Sequence, residues 1–367
     1  MKLLLYPSGH GFGHASRDFQ VVRAVADLAP DAVFEIRTGI DEWFVRHTLQ
    51  GLNFRLTRAS LDVGVIQANS LHQDIDRTRA ACRALLAARA SLLAQEIDFM
   101  RECRPDRVLC DVPAIPFAAA RALDIPAYGM SNFSWDWIYS VFPDFSEISD
   151  AFAADYAAAA EFLRLPFHGG DEAFSAFRSV RDVPMVARRS ALSVEEARAR
   201  LGVDGRPLFL ISFGGLGPSG FDWSALGALR EYRFILTPPL RHGVPERLPD
   251  ALTYVENDTL AARGLRYEDL VRACDGVVTK PGYGIVSEAL ANETRVLYTS
   301  RGEFAEYPFL VEALEKFGVA RYISNDDLEA GRWADALATL MARPRTPCSL
   351  PFDGAEVTAR HLTSSLP

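Results

Sequence analysis

One glycine-containing segment has the composition of an anion-binding turn at the start of a helix. It follows the apolar residues 276–278 and contains Lys280, Pro281, Gly282, Tyr283, Gly284, Ser287 and Glu288. Glycines let the backbone approach a ligand closely, and the unpaired N–H groups at a helix start attract phosphate. Glu288 lies about one helical turn further on, where a carboxylate can accept hydrogen bonds from sugar hydroxyls. The segment therefore predicts a nucleotide site that needs no metal ion.

A second glycine-rich segment, residues 8–17, carries two of the seven histidines. His10 and His14 lie among Gly9, Gly11 and Gly13, directly after the first predicted strand. Ligands bind at this end of the strands in open α/β sheets. Because histidine exchanges protons near neutral pH, either histidine is a candidate general base. The alternative interpretation is a tight turn whose imidazoles face solvent.

Asp111 ends the predicted strand at residues 107–110 and so reaches the same edge of the sheet. A carboxylate at that place would orient an imidazole and stabilise its protonated form. The topology therefore pairs Asp111 with a histidine of residues 8–17. The alternative is that Asp111 caps the helix predicted after Pro113.

A third glycine turn, residues 212–220, contains Gly214 and Gly215 and formally matches the pattern G-x-G-x-x-G. A dinucleotide site would also need an acidic residue at the end of the next strand. The predicted strands at 33–38 and 232–237 are followed by Gly39 and Pro238 instead. NAD binding is therefore disfavoured, whereas a turn lying over a diphosphate remains consistent with the pattern.

Residues 132–139 interleave aromatic rings with polar side chains, which suits the apolar faces and hydroxyl edges of a carbohydrate. The polar and aromatic candidates are Asn132, Ser134, Trp135 and Asp136. The alternative is that these aromatic rings belong to an ordinary core. The loop at residues 61–70 is a weaker candidate for the same cleft.

Asp74 and Asp76 form a D-x-D pattern, which binds a metal–diphosphate in some sugar transferases. They precede a long helical pattern, where acidic residues complement the helix dipole. We therefore expect helix capping and no metal site.

The predicted elements alternate between strands and helices, which indicates parallel sheets with crossover helices. Strands are predicted at residues 2–7, 33–38, 54–58, 107–110, 127–131, 208–212, 232–237, 276–278 and 295–299. Helices are predicted at residues 15–28, 77–103, 115–123, 151–160 and 193–202. Ser193 and Glu196 fit a capping box that starts the last of these helices.

Composition excludes several other functions. With 367 residues and 49% hydrophobic content, the chain suits two domains of about 150–200 residues each. A net charge of -9 disfavours nucleic acid and anionic membranes as partners. We find no signal peptide and no apolar run of transmembrane length. The five scattered cysteines indicate free thiols, so a cytoplasmic location is expected.

These motifs together resemble those of the GT-B glycosyltransferases, close to the group of the lipid II N-acetylglucosaminyltransferase and the UDP-glycosyltransferases. Residues 9–17, 212–215 and 280–284 carry the resemblance, together with Glu288. Residues 9–17 and 132–136 are also similar to the N-terminal region of L-arabinokinase-type proteins. A sugar kinase domain follows that region in those proteins. Because this chain shows no kinase-type phosphate loop after residue 345, we do not expect kinase activity.

The resemblance implies an α/β fold of two Rossmann-like parallel-sheet domains that face each other across a cleft. We expect an acceptor domain at residues 1–186, a donor domain at 187–352, and a C-terminal segment at 353–367 that packs back on the first domain. His14 matches the family's base best, with His10 as competitor and Asp111 as the acidic partner. Donor contacts are expected from Gly214, Gly215, Lys280, Pro281, Gly282, Tyr283, Gly284, Ser287, Glu288 and Glu306, and acceptor contacts from Gly11, Gly13, Asn132, Ser134, Trp135 and Asp136.

The expected function is metal-independent, inverting transfer of a sugar from a nucleotide-diphosphate donor to an unidentified hydroxyl acceptor, without a cofactor. UDP is favoured as the nucleotide by the resemblance. In the family that the chain resembles, an Asp/Asn-Gln pair binds the donor sugar. This pair is not clearly present around residues 301–307, where Glu306 is the candidate substitute. The alternatives are a non-catalytic sugar- or nucleotide-binding module and a UDP-sugar 2-epimerase of the same architecture.

Overall fold

The fold consists of two parallel β-sheets with helices packed on their faces. In a computed structural model of the protein, residues 1–69, 71–214, 220–238 and 247–364 are described. None of the helices within these ranges is long and apolar enough to cross a membrane.

The first sheet has the strand order β3-β2-β1-β4-β5-β6-β7, and all neighbouring strands described in it are parallel. Its strands are β1 (Lys2–Tyr6), β2 (Val33–Thr38), β3 (Phe54–Arg58), β4 (Arg107–Cys110), β5 (Ala127–Ser131), β6 (Glu161–Arg164) and β7 (Val180–Asp182). Every residue of β4 and β5 is buried. This burial is typical of central parallel strands that are covered on both faces.

The second sheet has the order β10-β9-β8-β11-β12-β13 and is also parallel throughout its described strands. Its strands are β8 (Leu208–Ser212), β9 (Arg233–Leu236), β10 (Leu252–Tyr254), β11 (Gly276–Thr279), β12 (Arg295–Tyr298) and β13 (Ala320–Tyr322).

Most helices lie in the connections between successive strands of each sheet. Around the first sheet lie α1 (Phe12–Leu28), α2 (Glu42–Thr48), α3 (Ile75–Cys103), α4 (Ile115–Arg121), α5 (Trp135–Ser140) and α6 (Ser146–Tyr156). Around the second lie α7 (Val194–Leu201), α8 (Asn257–Ala262), α9 (Tyr267–Ala273), α10 (Tyr283–Ala291), α11 (Tyr307–Phe317), α12 (Asn325–Glu329) and α13 (Ala334–Met341). Of these, α7 lies before the strands of the second sheet, whereas α12 and α13 lie after them. The last helix of the described chain is α14 (Gly354–Thr363).

Each sheet has one point where the strand order reverses. The reversal lies between β1 and β4 in the first sheet and between β8 and β11 in the second. Loops that leave neighbouring strands at such a point diverge and leave a crevice at the carboxyl edge of the sheet. The histidine loop follows β1, Asp111 follows β4, and Lys280 follows β11. The topology therefore places the candidate chemistry at both reversals.

The chain passes twice between the two sheets, and the two passages run side by side. The Met185 N–H donates to the Pro351 carbonyl over 3.2 Å, and the Gly354 N–H donates to the Met185 carbonyl over 3.2 Å. Helix α14 then packs against α1, where Ala355, Ala359 and Leu362 are buried. The domain boundaries after residues 186 and 352 remain predictions.

Most predicted elements are present with boundaries within a few residues. The D-x-D segment caps a helix, because the Asp74 side chain accepts from the Arg77 N–H over 3.0 Å. The capping box of Ser193 and Glu196 also forms, and α7 ends at Gly202 in the left-handed conformation.

The start of α1 was predicted three residues too late. The helix begins at Phe12 rather than at residue 15, so His14 lies in its first turn instead of closing a glycine loop. The backbone of Gly13 takes ordinary helical angles, which the sequence pattern of alternating glycines did not indicate.

Candidate functional site

His14 and Asp111 meet at the reversal point of the first sheet. The first turn of α1 carries His14, and Asp111 directly follows β4. His14 Nδ1 lies within hydrogen-bond distance of Asp111 Oδ2. The Asp111 side chain is fully buried, whereas 18% of the His14 side chain is exposed. Because Nδ1 contacts the carboxylate, Nε2 is the ring nitrogen left to exchange a proton with a substrate.

Arg17 completes this cluster, although the sequence analysis did not select it. Its guanidinium donates to the second oxygen of Asp111 and to Ser131 Oγ, the latter over 2.7 Å. Burial alone would raise the pKa of Asp111, but the charge of Arg17 and the hydrogen bonds from Arg17 and His14 hold that pKa below its ordinary value. Asp111 is therefore an ionised carboxylate placed between a histidine and an arginine.

His10 has a carboxylate of its own. His10 Nε2 lies 3.5 Å from Asp62 Oδ1, and Asp62 Oδ2 accepts from Ser8 Oγ over 2.7 Å and from Trp135 Nε1 over 3.0 Å. Burial opposes the charged form of His10, but Asp62 outweighs it and raises the pKa of His10. Asp62 belongs to the loop at residues 61–70 that the sequence assigned to the cleft. Both histidines therefore remain structurally possible bases.

The donor-side residues lie at the reversal point of the second sheet. Lys280 follows β11, Gly282 is the N-cap of α10, and no side chain in the described ranges caps that helix start. Lys280 Nζ donates to Gln67 Oε1 over 2.7 Å. Burial, helped by the positive charge of Arg301, lowers the pKa of Lys280 to about 7. A bound anion would stabilise the charged form of this lysine.

The two reversal points touch each other. A Cβ added to Gly284 would lie 2.8 Å from the Cα of Gly13, so the first turns of α10 and α1 meet backbone to backbone. The guanidinium of Arg17 lies 5.1 Å from the centre of the Tyr283 ring. Ser287 Oγ donates to the Gly284 carbonyl within α10 over 2.9 Å. The candidate base therefore faces the candidate phosphate site directly.

Glu288, the predicted ribose ligand, is buried and ion-paired. Arg188 Nε donates to Glu288 Oε1 over 2.6 Å, and Arg188 comes from the segment that joins the two sheets. Burial raises the pKa of Glu288, which the charge of Arg188 partly offsets. A ribose would have to share this carboxylate with Arg188, so its binding role stays a prediction.

Glu306 links the two halves of the site. Asn132 Nδ2 donates to Glu306 Oε2 over 2.8 Å, and Arg301 Nη1 donates to Glu306 Oε1. The same Asn132 accepts from Arg17 Nη1 over 3.1 Å. The candidate sugar-reading carboxylate is therefore connected, through Asn132 and Arg17, to the His14–Asp111 pair.

The remaining predicted acceptor residues are mostly enclosed. Ser134, Trp135 and Asp136 are buried, and Ser134 Oγ donates to the Ala173 carbonyl over 2.9 Å. Burial raises the pKa of Asp136. The indole of Trp135 contacts the His10 ring edge-on, so Trp135 reaches the cleft through His10.

Two glycines of the predicted donor site belong to the turn after β8. Gly214 follows that strand closely and has a φ of 69°, a left-handed conformation that favours glycine. Gly215 lies outside the described residues.

Four functional candidates were not singled out by the sequence analysis, although three of them lie within segments that it named. They are Arg17, Asp62, Arg188 and Arg301. Arg17 could have been found, because three positions separate it from His14 and such residues share a helix face. Arg188 lies in an irregular segment and its partner Glu288 is 100 positions away, so no local pattern indicates it. Within the described ranges, no group of three or more side chains of the metal-ligating kinds lies close enough together to hold a metal ion.

Comparison with known proteins supports the two-sheet architecture. No protein-family model matches the chain. The L-arabinokinase of Arabidopsis thaliana is 29% identical over 365 residues, covering 97% of this chain, and the chain spans about a third (34%) of that protein's length.

Solved glycosyltransferase structures share the fold across almost the whole chain. Arabidopsis thaliana UGT89C1, in complex with quercetin, has a TM-score of 0.60 at 15% identity and covers 98% of this chain and 92% of its own. Phytolacca americana UGT2, in complex with UDP-2fluoro-glucose and pterostilbene, has a TM-score of 0.57 at 14% identity and covers 99% and 94%. The chain therefore has the GT-B fold that its motifs predicted.

Proposed function

We propose that this protein is a glycosyltransferase that moves a sugar from a nucleoside-diphosphate donor, with UDP as the expected nucleotide, to an acceptor hydroxyl. One observation carries the proposal: the His14–Asp111 pair directly faces the uncapped start of α10 across the contact of Gly13 with Gly284. Proteins with this fold include glycosyltransferases whose structures contain UDP-2fluoro-glucose or quercetin. That arrangement joins a base for an acceptor to an anion site for a donor.

On the acceptor side, His14 removes the hydroxyl proton through Nε2 as the hydroxyl oxygen attacks the anomeric carbon. Asp111 stabilises the imidazolium that forms, because it is ionised and in contact with Nδ1. A positioned base of this kind contributes roughly 10²–10⁴-fold to the rate. Attack from the face opposite the leaving group gives inversion at that carbon.

On the donor side, the bond between the anomeric carbon and the diphosphate oxygen breaks, and negative charge develops on the leaving group. The backbone N–H groups at the start of α10 are fixed before the reaction, so they stabilise this charge more in the transition state than in the ground state. Lys280 is placed at the same edge to contribute its positive charge. Contact between the two halves would also keep water from the donor.

The first prediction concerns His14→Ala, which removes the base but leaves α10 unchanged. Transfer from UDP-glucose and other UDP-sugars to a panel of sugar and flavonoid hydroxyls, measured as UDP release and product mass, should fall at least about 100-fold. The affinity for UDP, measured by calorimetry, should remain close to that of the unchanged protein.

His47→Ala is the matched control, because His47 lies exposed on α2 and stacks on Trp43. Its transfer rate should stay unchanged. Undiminished transfer by His14→Ala would remove His14 as the base. A protein that neither binds UDP nor transfers any sugar would contradict the whole proposal.

A non-catalytic nucleotide-sugar-binding module is the second candidate. It is favoured by the pairing of Glu288 with Arg188 and of Glu306 with Asn132 and Arg301, since both candidate donor-reading carboxylates already have partners. Such a module would bind UDP-sugar without turnover. A UDP-sugar 2-epimerase would instead convert UDP-GlcNAc alone into its epimer, which chromatography of the incubated sugar detects.

A further inference from the structure

We propose that Arg17 is a positioning residue, which holds His14 in the tautomer that leaves Nε2 unprotonated and opposes protonation of its ring before substrate binds. The inference rests on the proposed role of His14 as base. It concerns a residue on the same helix to which the sequence analysis assigned no role.

The hydrogen-bond capacity of Arg17 leads to this tautomer. Its Nη2 nitrogen has two protons and lies within hydrogen-bond distance of Asp111 Oδ1 and of Ser131 Oγ, which is 2.7 Å away. These two acceptors use both protons, although the same nitrogen also lies 3.0 Å from His14 Nδ1. His14 Nδ1 must then carry its own proton and donate it to Asp111 Oδ2. Nε2 remains as the acceptor.

Arg17 is itself held from several directions. Its side chain is 3% exposed, and Nη1 donates to Asn132 Oδ1 over 3.1 Å. The ring of Tyr283, the first residue of α10, lies 5.1 Å from its central carbon. Because a guanidinium is planar and presents its donors in a fixed fork, it holds the carboxylate orientation more strictly than a lysine would.

Acidic groups near His14 favour protonation of its ring, and the positive charge of Arg17 opposes it. Asp111, after β4, favours a charged imidazole, and Asp18 lies buried in α1 close enough to Asp111 for the two carboxyls to interact. Burial and Asp111 raise the pKa of Asp18, so it is a weak source of negative charge. Tyr283 faces the cluster from α10, Glu306 approaches it through Asn132, and His10 lies in the preceding loop. Arg17 is the cation in direct contact with both members of the His14–Asp111 pair.

The test is a titration of the histidines by NMR on protein labelled with ¹⁵N at the imidazole nitrogens, with His14→Ala used to assign the His14 signals. The unchanged protein should show His14 with a protonated Nδ1 and an unprotonated Nε2 at neutral pH. In Arg17→Gln the midpoint of the His14 titration should move to higher pH, because a like charge in contact is lost. In Arg17→Lys this midpoint should stay near its original value, while the two tautomers become mixed.

Arg23→Gln is the matched control on α1, since Arg23 donates to the Thr48 carbonyl, away from the cluster. It should leave the His14 signals unchanged. The proposal is overturned if His14 carries its proton on Nε2 in the unchanged protein. This outcome can be measured even if the Arg17 variants do not fold. It is equally overturned if His14 keeps both pKa and tautomer in a folded Arg17 variant.

The titration needs no sugar donor, so it tests the role of Arg17 separately from the transfer activity. The role of Arg17 can be contradicted while transfer is observed, and it can be supported while no transfer is observed. If transfer is observed, Arg17→Lys should lower kcat at least tenfold with little change in the KM for the donor. The acid limb of the pH profile should move to higher pH in Arg17→Gln. A residue that merely stabilises the fold would move neither the tautomer nor this limb.

Discussion

Each histidine of the loop after β1 has its own carboxylate, and the two pairs differ in kind. His14 contacts Asp111, which also accepts a hydrogen bond from the buried Arg17. His10 contacts Asp62, and among the described residues no arginine is hydrogen-bonded to that carboxylate. Burial opposes the charged form of His10, but the charge of Asp62 outweighs burial and raises the pKa of His10. The His14 pair therefore suits proton removal, while the His10 pair suits a fixed positive charge in the cleft.

This difference predicts a pH dependence of stability for His10. Because the folded state raises the pKa of His10, the pair stabilises the protein fully below the unfolded pKa of about 6.5. That stabilisation is lost as the pH rises through the folded-state pKa. Urea unfolding at pH 6.0 and pH 8.5 should therefore show a smaller loss of stability in Asp62→Asn than in the unchanged protein. Equal losses in the two proteins would show that Asp62 does not hold the charge of His10.

The sequence indicated the His14–Asp111 contact before the structure did, because both residues follow predicted strands and so were expected at the same edge of the sheet. The partners of Glu288 and Glu306 could not be predicted in this way. Asn132 and Glu306, for example, are 174 positions apart and come from different sheets. Their contact depends on how the two sheets face each other, which no local pattern records.

At the scale of secondary-structure elements, α1 and α10 approach each other closely in the site. A Cβ on Gly284 would lie 2.8 Å from Gly13 Cα, whereas a Cβ on Gly13 would lie 3.5 Å from Gly284 Cα, an ordinary contact. The two substitutions are therefore not equivalent, although the two glycines face each other.

We predict that Gly284→Ala forces the first turns of the two helices apart and destabilises the closed arrangement by about 1–3 kcal/mol. UDP affinity by calorimetry should fall, and small-angle scattering should report a larger radius. Gly13→Ala is the matched control and should change both quantities little. If Gly284→Ala binds UDP with undiminished affinity, close approach of the helices is not required for the donor site.

Central strands were predicted more reliably than edge strands, for a physical reason. β4 and β5 are buried on both faces and appear as continuous apolar runs. β7 is exposed at all three of its residues, and β13 is exposed at two of its three. An edge strand of three partly polar residues shows no hydrophobic periodicity, so β7, β10 and β13 were not predicted. The internal strand β6, with polar residues at both of its ends, was not predicted either.

Across the whole molecule, the end of the described chain stabilises its beginning. Leu362 on α14 is fully buried in the core that contains Phe19 and Val22 of α1. The helix that carries His14 is therefore supported by residues more than three hundred positions later. A substitution that weakens the packing of α14 should therefore also destabilise the N-terminal sheet.

We predict that Leu362→Ala destabilises the protein by about 2–5 kcal/mol, because it leaves a cavity between α14 and α1. Thermal and urea unfolding measure this loss. Leu28→Ala is the control, since Leu28 ends α1 but is 51% exposed, and it should cost less than about 1 kcal/mol. Equal losses for the two variants would contradict the packing described for α14.

The paired passages of the chain between the sheets limit how the molecule can open. Met185 is hydrogen-bonded to both Pro351 and Gly354, so the two strands of backbone are tied together at one rim. These two hydrogen bonds favour a hinge movement of one half about this place over a sliding movement. A swing of this kind would withdraw Gly284 from Gly13 and part Asn132 from Glu306 in a single movement. On the proposed function, entry of a sugar nucleotide and loss of the hydrogen bond between Asn132 and Glu306 would therefore occur together.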